Sequence, residues 1–121
     1  MTFHRLASAV ALVSMISASC GGAGGLSEEA ERGRLIAAAT GCVACHGHTG
    51  EGLAGPPWQG MYNATVELED GSVVTADDAY LARAIRDPGA QVAAGYRLSM
   101  PANVLTEAEV AAVVAYIKEL S

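Results

Sequence analysis

The stretch Gly41-Cys42-Val43-Ala44-Cys45-His46-Gly47 decides how this chain is read. Two thiols two residues apart are followed at once by an imidazole. Four chemistries use such a pair. A zinc half-site needs two further ligands, and only His46 and His48 lie close by, too cramped in one short loop for tetrahedral geometry. A thioredoxin-like redox pair needs a strand–turn–helix setting, whereas the preceding segment reads as helix. A structural disulfide is chemically easy in an exported domain. The fourth use is covalent attachment of a haem of the c type. There the spacing has a reason. Two thiols at this separation reach the two vinyl-derived positions on one edge of the porphyrin, and the histidine after the second falls beneath the iron as proximal ligand.

An iron that only carries electrons takes a second strong ligand on its open face, and a thioether favours the ferrous state. Beyond the N-terminal segment the methionines are Met61 and Met100. Met61 follows His46 closely, in a loop still turning around the cofactor edge. Met100 lies beyond another helix, and Pro101 after it restricts its backbone to extended conformations. Met100 is the expected partner of His46. An ordinary core methionine is the competing reading, since Met fills gaps well. His48 is too near His46 to reach the opposite face.

The chain has 121 residues, enough for one domain. Met1 to about Ser19 reads as a targeting segment: a polar head with His4 and Arg5, an apolar run from Leu6 to Ile16, and small residues before Cys20. The run falls short of the roughly 20 residues a membrane-spanning helix needs. Without residues 1–19, six Lys/Arg face thirteen Asp/Glu, a formal charge of −7. Such a surface excludes nucleic acid and favours a redox partner with a basic docking surface. Large aromatics are few: Trp58, Tyr62, Tyr80, Tyr96 and Tyr116. A small domain so short of core gains from a bulky prosthetic group.

Gly21 to Gly25 reads as a flexible tether. Ser27, with Glu28 and Glu29 in the first turn, opens a helix to about Ala39, its apolar stripe at Ala30, Gly33, Ile36 and Ala37. Gly41 to Gly60 reads as a glycine-rich loop. Around Glu69-Asp70-Gly71-Ser72 the pattern suggests a small hairpin or an irregular loop. Thr75 with Asp78 resembles a capping box. The helix behind it presents Tyr80, Leu81, Ala84 and Ile85 and stops at Asp87-Pro88-Gly89. Thr106-Glu107-Ala108-Glu109 is a second capping box, opening a helix with Val110, Val113, Val114, Ile117 and Leu120 on one side. The expected architecture is all-α, with signal peptide 1–19, tether 20–26 and domain 27–121, and with long loops that need something to wrap around.

From Leu26 to Leu120 the chain resembles a class I cytochrome c, most closely the cytochrome c domain fused to subunit II of some bacterial haem–copper oxidases. The matching pieces are Gly41 to Gly47, Gly55-Pro56, Leu68 to Tyr80, Ile85-Arg86-Asp87-Pro88, Gly95-Tyr96, Met100-Pro101 and the closing Val110 to Leu120 helix. The resemblance implies the class I cytochrome c fold and one haem c joined covalently to Cys42 and Cys45, with His46 and Met100 as axial ligands of the iron. It also implies that Pro56 packs on the proximal side, that Gly55 permits close approach, and that Gly33 crosses against Tyr116. Trp58, Tyr62, Tyr96 and Arg97 become candidates for lining the haem or bonding a propionate. The sequence has no upstream transmembrane pair and no cupredoxin domain with copper ligands, so a detached carrier of this domain type is expected.

Cys20 is then the odd cysteine. Its setting resembles a bacterial lipoprotein signal: cleavage before Cys20, lipid on its sulfur, and a glycine linker. Ser17 departs from the branched aliphatic such signals carry at that place, and simple secretion is the alternative. The expected location is the periplasm or the outer face of the cytoplasmic membrane. The expected function is one-electron transfer in a bacterial respiratory or related chain, between a membrane complex and a terminal oxidase, with no organic substrate and no catalysis by the domain itself. The rival readings are a haem-containing small-ligand sensor and an accessory haem subunit of a larger respiratory complex.

Overall fold

A computed structural model describes residues 24–121. The signal segment 1–19, Cys20 and the first part of the tether lie outside the described residues. The described elements are α1 (Glu28–Ala39), α2 (Val43–His46), β1 (Thr65–Glu67), β2 (Val73–Thr75), α3 (Asp78–Arg86) and α4 (Glu107–Glu119). The architecture is mostly helical. Among the described residues no helix is long and apolar enough to cross a membrane.

The first and last helices form the principal packed pair. Small residues on α1, the buried Ala30, Gly33 and Ala37, meet Val113 and its neighbours on α4. Gly33 is used for close approach, though one turn earlier than its expected crossing with Tyr116. A β-carbon there would collide with the Ala112 carbonyl and lie 2.9 Å from the Val113 nitrogen. Ile36 is only half-buried. The pair is tied at its open end by Glu119, whose carboxylate accepts from the Ser27 N–H at 2.8 Å and from the Ser27 hydroxyl. Ser27 also caps α1 by accepting from the Ala30 N–H. Leu26, expected in the tether, packs against the core.

The capping box of α4 forms as expected between Thr106 and Glu109. The one expected at Thr75 does not. Thr75 ends β2, and the N-cap of α3 is Asp77, which accepts from the Tyr80 N–H at 2.8 Å. A carboxylate two residues nearer the helix displaces the hydroxyl because only the residue adjoining the first turn can reach its free N–H groups. The turn at Asp70 does make a hairpin: β1 pairs antiparallel with β2, Val66 opposite Val74. The long connection after α3 is pinned to it by a bridge between Leu68 and Ala93.

The core joins the α1–α4 seam to the inner face of α3, through Leu81 and Ile85 against Val113 and Ile117. Ala84 and Leu120, expected on these apolar faces, are half-buried.

Candidate cofactor site

The segment expected as loop contains one helical turn, α2, and that turn organises the site. Cys42 precedes it with helical dihedrals, φ −57° and ψ −38°. Cys42, Cys45 and His46 therefore stand at i, i+3 and i+4, which puts both thiols and the imidazole on one face of the turn. Gly47 ends it at φ +88°, a conformation few other residues adopt. The chain then folds back onto the carbonyls that α2 leaves without helical partners. Gly52 N–H donates to His46 at 2.8 Å, and Gly55 N–H donates to Cys45 at 2.9 Å.

This return places Gly55, Pro56 and Trp58 around His46. The imidazole is 7% exposed. Its Nδ1 lies 2.8 Å from the Pro56 carbonyl oxygen. A carbonyl only accepts, so Nδ1 carries the proton and Nε2 keeps the free lone pair. A β-carbon at Gly55 would sit 3.1 Å from His46 Cε1. Trp58 stacks on the imidazole with centroids 4.6 Å apart. Burial pushes the His46 pKa down, partly opposed by the bond to Pro56, so the ring is held neutral.

His46 and both cysteines open into one cavity of about 210 Å³. Both thiols are free, and the Cys42 sulfur lies 3.3 Å from the Thr40 hydroxyl. Gly55, Pro56 and Trp58 line the near part, with Tyr80, Leu81, Ile85, Val113 and Ile117 from α3 and α4. Tyr96, Leu98, Met100, Pro101 and Asn103 come from the long connection. No Asp, Glu, Lys or Arg is among the lining residues. Burial raises the Tyr80 pKa, which keeps that phenol neutral.

Most of the expected residues thus meet in one place: Cys42, Cys45, His46, Gly55, Pro56, Trp58, Tyr96 and Met100. Tyr62 and Arg97 are not among the lining residues. Tyr62 instead lies under the Lys118 ammonium, 4.8 Å from its ring centroid, and Arg97 is exposed. Met61 joins Met100 in the lining. Asn103 had no sequence signal, being a polar residue in an irregular stretch. Thr40 could have been found as the residue closing α1, where its hydroxyl donates to the Ile36 carbonyl at 2.8 Å.

The donor set fits a covalently held haem. Two free thiols share a helical face with an imidazole whose Nε2 is available, and the walls beyond are apolar and uncharged. A tetrahedral metal centre has less support, since among the described residues no group of three or more His, Cys, Asp or Glu is arranged to hold an ion. A family profile described as Cytochrome c matches residues 30–121. No curated protein matches the chain.

Proposed function

The chain belongs to the cytochrome c family of haem-containing electron carriers, which bind haem c covalently, and on that premise we propose how its own residues serve electron transfer. Cys42 and Cys45 hold the haem through thioether bonds, and His46 and Met100 are the axial ligands of its iron. The observation that carries this reading is that all four side chains line one cavity. The haem supplies reversible one-electron chemistry at its iron. His46 presents Nε2 in a fixed direction because Pro56 takes its Nδ1 proton and Trp58 covers its face. Leu81, Ile85, Val113 and Ile117 exclude water, which limits solvent reorganisation and lets both oxidation states keep the same ligands.

The physiological reading is a detached relative of the domain fused to oxidase subunit II. It works in a bacterial respiratory chain, passing electrons between a membrane complex and a terminal oxidase. A formal charge of −7 after loss of residues 1–19 supports a partner with a basic docking surface and a fast, weak encounter. Cys20 is the lipid anchor that keeps the domain at the outer face of the cytoplasmic membrane. Supporting this is its place between an apolar run and a glycine tether.

Intact mass and visible spectra of protein made with cytochrome maturation machinery test the reading. Covalent haem, a near-infrared thioether-to-ferric band lost in Met100→Ala, and acyl mass on Cys20 are the expected results. Absence of covalent haem overturns the assignment of Cys42 and Cys45. Ready carbon monoxide binding by the reduced protein would favour a small-ligand sensor instead.

A further inference from the structure

The long connection between α3 and α4 is anchored very unevenly. Up to Ala94 it is pinned to the hairpin region: Glu69 N–H donates to the Val92 carbonyl and Ala94 N–H to the Glu67 carbonyl, both at 2.9 Å. From Thr106 the capping box takes over. Between these anchors, residues 95–105 make no backbone–backbone hydrogen bond among the described residues. That stretch carries Met100, and its Leu98 and Val104 are 64% and 99% exposed.

Among the described residues, one hydrogen bond joins this stretch to the rest of the domain. The Asn103 side-chain amide donates through Nδ2 to the Ile85 carbonyl at 2.6 Å. Ile85 lies in the last turn of α3, where carbonyls lack helical partners. The other end of the amide, Oδ1, accepts from the Leu105 N–H at 3.2 Å. One side chain thus satisfies the end of α3 and turns the chain just after Met100.

We propose that Asn103 is a positioning residue for the Met100 thioether: its bond to the Ile85 carbonyl is the latch holding residues 95–105 over the cavity. Opening of that latch, rather than unfolding of the domain, admits small ligands to the site. The inference rests on the reading of Met100 as axial ligand. A single neutral hydrogen bond changes such an opening equilibrium by roughly two- to tenfold, and nothing else polar in the stretch compensates its loss.

The test is imidazole binding to the ferric holoprotein, followed by stopped flow. Asn103→Asp keeps an acceptor for Leu105 but sets an oxygen against the Ile85 carbonyl, and Asn103→Ala removes both contacts. Both variants are expected to take up imidazole roughly two- to tenfold faster than the parent and to show a weaker near-infrared thioether band. Val114→Ala, in the core but outside the cavity lining, controls for general destabilisation and is expected to leave the imidazole rate unchanged. A parental rate in Asn103→Asp overturns the latch. So does equal acceleration in Val114→Ala at equal loss of stability. Met100→Ala separates the two readings. If it abolishes the band while Asn103→Asp behaves as the parent, only the latch fails; if the band survives in Met100→Ala, the axial assignment fails and the latch with it.

Discussion

The Trp58 indole stacks on the His46 imidazole, centroids 4.6 Å apart and planes 17° from parallel, and meets the Tyr116 ring of α4 edge-on at 6.0 Å. One aromatic residue therefore links the histidine after the double-cysteine turn to the C-terminal helix. The orientation of His46 depends on packing between distant parts of the chain, and the bond to Pro56 completes it.

Trp58→Ala should consequently be costly. Trp58 is 5% exposed, and removing a buried ring of this size costs about 3–5 kcal/mol. Trp58→Phe keeps a flat ring beneath His46 and should cost less. Denaturant unfolding of the holoproteins gives the comparison; an alanine variant as stable as the parent would show that the stack has no energetic weight.

At Gly33 two effects oppose each other. Replacing a mid-helix glycine by alanine gains about 1 kcal/mol of helix propensity. A methyl at this position would run into the Ala112 carbonyl, which belongs to the α4 backbone and cannot turn aside. Overpacking of this kind costs about 1–3 kcal/mol, so Gly33→Ala should lower the Tm. Gly89→Ala meets open space and should not. Equal melting of the two variants would sink the close-approach account.

Removal of the haem should be close to unfolding. A void of about 210 Å³ costs on the order of 5 kcal/mol at about 24 cal/mol per Å³, similar to the whole stability of a small domain. Cys42→Ser/Cys45→Ser protein recovered without haem should lack a cooperative thermal transition. A sharp calorimetric melt in that variant would show that the cavity is self-supporting.

Acid should loosen the helix ends before it reaches the core. The Thr106 N–H and hydroxyl hold the Glu109 carboxyl below its ordinary 4.5. The Ser27 hydroxyl and N–H do the same for Glu119, and Lys118 holds Asp78 below 3.8. Carboxylates whose folded pKa is depressed contribute stability above the unfolded value and lose it as pH falls through the folded one. Stability should therefore be level above about pH 5 and fall below about pH 4. Glu119→Gln should flatten part of that fall, read from urea midpoints against pH. An unchanged acid limb would remove Glu119 from the explanation.

Helix positions were legible because they depend on near neighbours. Ser27 before two glutamates and the Thr106–Glu109 pair act within one turn, and both caps form where the residues allow them. The start of α3 was misplaced because Thr75 and Asp77 are both competent caps; strand pairing of Thr75 with Thr65 settles the choice. The helical turn at Val43–His46 was missed because glycines flank it and it is too short to show a period.

The site divides in the same way. Cys42, Cys45 and His46 are adjacent in the chain, so their spacing alone identifies the haem-attachment chemistry, and Pro101 marks Met100 within the sequence. Tertiary structure decided which distant side chains meet them. It brings Trp58 beneath His46, Met61 into the lining, Tyr62 to Lys118, and Asn103 to the end of α3. Those contacts follow from how α1, α3 and α4 pack, and side chains with no periodic or spacing signal acquire their roles only when packing brings their partners within reach.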